Sequence, residues 1–177
     1  MLDNIEFIEM DEKYFDSFFE ILKDSFPENE RRDYLSQKKL LNNKYYKPLV
    51  LNKNGEILAI MAIWEFEEFI FIEHLAIDSK LRGKGIGTQL IKNYLIKIQK
   101  EVFLEVEQQT CEVSKKRILF YEKLGFYLND FYYLQQPLNP NDTPFELKIM
   151  SYSKKVSENE FEKYKKVIYK EVYNVIN

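Results

Sequence analysis

Residues Glu73 to Thr88 read EHLAIDSKLRGKGIGT. Before them, Phe69 to Ile77 is apolar enough for a strand; after them, Leu90, Ile91, Tyr94, Leu95 and Ile98 recur at helical spacing. The stretch is therefore a strand, a glycine-rich loop and a helix. Gly83, Gly85 and Gly87 allow successive main-chain N–H groups to point inward, and the helix that follows adds unpaired amides with a partial positive charge. Lys80, Arg82 and Lys84 place cationic side chains around them. Such a loop suits a compact phosphate-bearing ligand.

Outward from the loop, the pattern predicts an α/β chain. Toward the N-terminus, Asn4 to Met10 reads as a strand, Lys13 to Phe26 as an amphipathic helix ended by Pro27, and Arg32 to Leu41 as a second helix. Pro48 to Asn52 and Glu56 to Phe66 are strands joined by an Asn54-Gly55 turn, and Phe69 to Ile77 follows after Glu67-Glu68. Three antiparallel strands thus precede the loop. Beyond the helix, Val102 to Val106 alternates as a strand, Lys115 to Leu124 is a helix closed by Gly125, and Phe131 to Gln136 and Phe145 to Tyr152 form an antiparallel pair. Ser157 and Glu160 have capping-box spacing for a terminal helix over 157–176, with Phe161, Tyr164, Ile168, Val172 and Val175 along one face. That stripe either docks on the chain's own sheet or makes a homodimer contact. The expected architecture is a mixed, mostly antiparallel central sheet with helices on both faces.

At 177 residues and 45% hydrophobic content, the chain fits one domain spanning 1–177. Net charge of -3 and a pI near 5.4 disfavour a polyanionic partner, so no nucleic acid is expected. The longest apolar run, Ile57 to Trp64, is too short to span a bilayer. Cys111 is alone, which suits a reducing compartment, and Asp3, Glu6 and Glu9 interrupt the N-terminal apolar pattern where a signal peptide would be apolar. These features predict a cytoplasmic protein without a membrane partner.

Three nucleotide-binding patterns compete for the loop. A P-loop needs four residues between its first glycine and a Gly-Lys-Ser/Thr end, and that spacing is absent. A dinucleotide fingerprint is matched in part by Gly83, Gly85 and Gly87, with Glu105 downstream where a ribose ligand is expected. Against it, its last glycine is Thr88, a charged segment separates strand from glycines, and hairpins rather than βαβ units come first. In the third pattern, Arg82-Gly83-Lys84-Gly85-Ile86-Gly87 resembles the Arg/Gln-x-x-Gly-x-Gly/Ala signature of the GNAT superfamily of N-acetyltransferases. Leu75-Ala76-Ile77 stands where that family bonds the pantetheine arm, and Leu119 to Phe126 resembles its second motif.

The resemblance covers roughly Asn4 to Tyr152 and leaves the terminal helix as an addition. It implies acetyl-coenzyme A as co-substrate, held by Leu75, Ala76, Ile77, Arg82, Gly83, Lys84, Gly85, Ile86, Gly87 and Thr88. It implies direct acetyl transfer to a primary amine of a small molecule or peptide, with no metal; the alternative is an acyl-coenzyme A sensor without turnover. Tyr121 is the candidate acid for the departing thiolate, and a main-chain N–H near Leu75 to Ile77 would meet the oxyanion. Glu73 is the candidate base, and a carboxylate paired with a basic neighbour is the other reading. His74, the only histidine, is turned to the opposite face by strict alternation. Ser114 and Arg117 replace the asparagine and small residue that the family often carries ahead of its tyrosine, so Arg117 is open to a phosphate, a carboxylate or solvent. Early helices and late strands supply acceptor contacts in this family, here Arg31, Arg32, Tyr45, Tyr46, Tyr132 and Tyr133, while Glu105 and Glu107 are expected to border the cleft and favour a cationic acceptor.

Overall fold

The computed structural model describes residues 5–175. Asn4, where the first strand was expected to begin, and Ile176, at the end of the expected terminal helix, lie outside the described residues. Contacts divide the chain into two compact units: Met1–Glu65 with Ile72–Gln99, and Phe66–Phe71 with Lys100–Asn177.

The first unit holds strands β1 (Ile8–Glu9), β2 (Tyr46–Lys53), β3 (Glu56–Glu65) and most of β4 (Phe69–Ile77), in the order β1-β2-β3-β4. Its helices are α1 (Phe15–Ser25), α2 (Tyr34–Lys39) and α3 (Ile86–Leu95). The β2–β3 hairpin turns at Asn54 and Gly55, whose φ angles of 54° and 88° are the positive values that an Asn-Gly turn supplies cheaply. β3 is buried continuously from Ile57 to Trp64, the pattern of a strand covered on both faces. Phe15, Phe18, Phe19 and Leu22 are buried on α1, which packs on β3. Asp33 caps α2 by accepting from the Ser36 amide.

In the second unit β8 (Phe145–Tyr152) is the hub, pairing antiparallel with β5 (Glu101–Val106), β6 (Phe126–Leu128) and β7 (Tyr133–Gln135). The strand β6 had no counterpart in the sequence reading, which assigned no strand between Gly125 and Phe131. Three residues are too few to show an alternation. Helix α4 (Glu112–Lys123) begins three residues earlier than its apolar pattern suggested, because Cys111 and Ser114 cap it reciprocally. Gly125 closes the turn behind it at φ +94°, as expected.

The terminal helix α5 (Glu158–Glu171) starts at the expected Ser157–Glu160 capping box. Its apolar stripe docks inside its own unit: Tyr164 lies against Phe69 and Phe103, with ring centroids 4.9 and 4.8 Å away, and Phe161 against Phe103 at 5.2 Å. Ile168 and Val172 are buried beside them. Among the described residues no helix is long and apolar enough to cross a membrane. The α/β, mostly antiparallel architecture expected from the sequence is the one found.

Since Ile168 is fully buried, Ile168→Ala should cost about 2–5 kcal/mol in urea unfolding. A loss well under 1 kcal/mol would show that α5 adds little to the fold.

Candidate active site

The loop after β4 leaves a run of main-chain amides without acceptors among the described residues. A short 3-10 turn, Ser79–Leu81, is capped by Asp78, and the Leu81 and Arg82 amides donate back to Asp78 and Ser79 carbonyls. From Gly83 to Thr88 no amide has an acceptor among the described residues; the next amide, of Gln89, donates to the Gly85 carbonyl. Six consecutive donors are therefore open, the last three forming the first turn of α3. Gly83 and Gly85 sit at φ +77° and +75°, and a methyl group added at either would meet nothing within 4 Å. A run of main-chain donors without partners is the chemistry that an anion at a helix start requires.

The arch is held rigidly. Arg82 Nε donates to the Ile77 carbonyl at 2.9 Å, tying the loop to the end of β4, and an Nη lies 3.5 Å from Ser25 Oγ. Ile86 and Leu90 anchor α3 in a cluster with Leu51, Leu58 and Ala59. Gly87 packs so closely on β4 that a Cβ there would lie 3.2 Å from Ile77 Cγ1. Lys80, Arg82 and Lys84 are exposed around the rim.

Four residues before Ile77, Glu73 is in a buried ion pair: Arg32 Nη1 donates to its Oε1 at 2.8 Å, and the two side chains are 6% and 3% exposed. Burial would raise this carboxyl, but the Arg32 guanidinium and His74 outweigh it and hold it at about 2. Of the two sequence readings for Glu73, the geometry suits pairing; a carboxylate this acidic is a weak proton acceptor. His74 is also buried, with Nε2 2.7 Å from the Glu30 carbonyl and its ring edge-on to Phe26. Alternation alone placed it away from Glu73, yet Nδ1 lies 3.5 Å from Glu73 Oε2.

A polar cluster surrounds the pair. Gln37 Nε2 donates to the Tyr46 hydroxyl at 2.6 Å, Tyr46 packs edge-on against Trp64, and the Arg32 guanidinium lies over the Trp64 ring. Arg32 and Tyr46 were read as acceptor contacts from their place in the chain, whereas Gln37 and Trp64 carried no signal. Arg32 and Glu73 stand 41 residues apart, and no motif links them.

The remaining sequence candidates lie in the second unit. Tyr121, on α4, is ringed by Phe120 and Phe126 edge-on, and burial raises its phenol to about 12 against a small opposing pull from Arg117. Its proton is therefore present throughout the working range. Arg117 pairs with Glu107 at 3.3 Å. Glu105 accepts hydrogen bonds from the hydroxyls of Tyr133 and Tyr173 at 2.5 and 2.8 Å. Both carboxylates expected to line an acidic cleft are thus engaged by partners in their own unit.

The ion pair sets an acid dependence. The folded carboxyl titrates near 2 and its ordinary value is 4.5, so the unfolded chain protonates first as pH falls. The stabilisation is complete above about pH 5 and is lost toward pH 2, amounting to about 3 kcal/mol. Denaturant midpoints measured across that window should fall steeply in the parent and be flatter in Glu73→Gln; parallel curves would remove the pair from the acid response. Arg32→Ala, which leaves the buried carboxylate unpaired, should cost about 3–5 kcal/mol at neutral pH.

Comparison with known proteins agrees with this geometry. Residues 15–126 match the model of the acetyltransferase (GNAT) family. YjbC of Bacillus subtilis (strain 168), assigned as an acetyltransferase, is 30% identical over 112 residues, which cover 62% of this chain and 56% of YjbC; the chain spans just over half of that relative. Among solved structures, a chain from Bacteroides thetaiotaomicron assigned to the GNAT acetyltransferases superposes with a TM-score of 0.89 at 25% identity, covering 96% of this chain and 99% of that one. The ribosomal-protein-S18-alanine N-acetyltransferase of Escherichia coli shares the fold, with a TM-score of 0.62 at 18% identity over 86% of this chain and 96% of that chain. With a family match over most of its length and the unpaired amides at Gly83 to Thr88, the chain belongs to the GNAT acetyltransferase family.

Proposed function

We propose that the chain transfers acetyl directly from acetyl-coenzyme A to a primary amine of a small molecule or a peptide, acting as one catalytic domain with α5 appended. The observation that carries this reading is the run of unpaired amides from Gly83 to Thr88, which fits the pyrophosphate of the donor. Arg82, Lys84 and Lys80 add charge at its rim, and Leu75, Ala76 and Ile77 lead β4 toward it. In the transfer a C–N bond forms as the C–S bond breaks; the amine loses a proton and the thiolate gains one.

Each residue has a stated part in that exchange. A main-chain N–H near Leu75 to Ile77 donates to the oxygen where negative charge develops. Tyr121, protonated throughout the working range, offers a hydrogen bond to the departing sulfur. Glu73 is held as a permanent anion by Arg32, so it contributes a fixed negative charge beside the transfer strand rather than a strong base. The exposed lone thiol of Cys111 suits the cytoplasm and takes no part in acyl transfer.

Acetyl-coenzyme A should raise the melting temperature of the parent, and Gly85→Asp should abolish the shift by placing a side chain and a negative charge over the amides. An unchanged shift in the variant removes the loop from the binding site. With an amine that supports thiol release, Tyr121→Phe should lower kcat by about 10- to 100-fold while leaving donor affinity close to that of the parent. Equal rates would make Tyr121 a packing residue, and absence of thiol release with every primary amine would favour a binding role.

A further inference from the structure

The polar cluster of the first unit holds two buried atoms that the ion pair leaves out. Oε1 of Gln37 and Nε1 of Trp64 make no hydrogen bond to any described group, and both residues are 0% exposed. Glu73 Oε2 and His74 Nδ1 share that lack but face each other at 3.5 Å. Tyr46 neighbours both Gln37 and Trp64. Its hydroxyl meets the Gln37 amide at 2.6 Å, and its ring lies 5.3 Å from that of Trp64, its direct partner across the β2–β3 ladder. Exchanging the oxygen and nitrogen of the amide changes nothing essential: one end still meets the hydroxyl, and the other is still left over. The indole N–H is a donor in every state.

The leftover atoms limit what can satisfy them. The indole requires an acceptor, and the spare end of the amide requires a donor or an acceptor according to its orientation. A metal cation offers nothing to an N–H, and an anion offers nothing to an amide oxygen. Arg32 and Glu73 already neutralise each other in this cluster, so a further charge would be buried without a counter-ion. Water is neutral and both donates and accepts, and a water inside a protein typically bonds about three polar groups.

We propose that water is an integral ligand of the first unit, accepting from Trp64 Nε1 and bonded to the spare end of the Gln37 amide. Gln37 is the one buried side chain of α2, so these bonds and the one to Tyr46 are the polar attachment of that helix to the β2–β3 hairpin. Arg32 lies just before α2, and the same attachment steadies the segment that carries the guanidinium to Glu73 and over the Trp64 ring. The site stands whether or not the acyl-transfer reading does, and no proton of that reaction passes through it.

Trp64 is the only tryptophan, so its indole N–H gives a single, self-assigned resonance in ¹⁵N-filtered spectra of the intact protein. That resonance should show cross-relaxation with water, its NOE and ROE of opposite sign, as dipolar contact with a long-lived water requires; chemical exchange gives equal signs. A hydroxyl proton that exchanges with solvent also resonates with water, so Tyr46→Phe is the control, and the peak should persist in it. Gln37→Met keeps the bulk and removes the amide; there the peak should fall about twofold or more as the water loses a partner. No dipolar peak in the parent would overturn the proposal and leave the indole N–H to the face of the Tyr46 ring. Loss of the peak in Tyr46→Phe, or its full retention in Gln37→Met, would overturn it too. If both variants fold poorly, the parent spectrum decides by itself.

Discussion

Six successive amides, Gly83 to Thr88, have no acceptor among the described residues. A helix start normally satisfies such donors with a capping side chain, and here Gly85 at the N-cap position of α3 has none to offer. The arch persists because its neighbours determine its shape. The Arg82 side chain is fastened to the Ile77 carbonyl, Gly87 lies flush against Ile77, and Ile86 and Leu90 are sunk among Leu51, Leu58 and Ala59. Donors fixed in this way need no reorganisation when an anion arrives, which is the property an acyl-donor site requires.

The strand leading to that arch carries charge into the interior, and the two units satisfy their interior carboxylates differently. In the first, Glu73 has a guanidinium on one oxygen and an imidazole near the other, inside a cluster with Gln37, Tyr46 and Trp64. Gln37 Oε1 and Trp64 Nε1 are also buried without a hydrogen bond, so this interior has several polar atoms with capacity to spare. In the second unit, Glu105 is met by tyrosine hydroxyls from β7 and from the segment after α5. Glu73 stays strongly acidic because its partner is a permanent cation. An ion pair this deep is costly to break at one end, which makes Arg32 a structural requirement as well as a local source of charge.

Much of the fold was legible because it rests on local rules. Phe69 to Ile77 and Phe145 to Tyr152 were bounded correctly by their apolar patterns and turns, the Asn54-Gly55 hairpin by its φ preference, and the start of α5 by the Ser157–Glu160 spacing. The loop glycines marked the left-handed positions at Gly83 and Gly85 for the same reason. Local patterns failed where tertiary context decides. The strand β6 is too short to show a period, and α4 hid its first turn behind a cysteine cap. The partner of Glu73 came from a segment 41 residues away, His74 turned toward a residue that alternation assigns to the other face, and Glu105 and Glu107 were engaged by Tyr133, Tyr173 and Arg117. Residue type forecast that the interior acid Glu73 would be used or paired; it could not say with what.

The central claim is that the amides of Gly83 to Thr88 bind the phosphates of the acyl donor. Amide-resolved hydrogen exchange, with and without saturating coenzyme A, tests it at the atoms concerned. In the free protein these amides should exchange rapidly, and coenzyme A should slow them as a contiguous group more than amides elsewhere in α3. Saturation that leaves all six exchanging at the free rate, with protection confined to another part of the chain, would contradict the account.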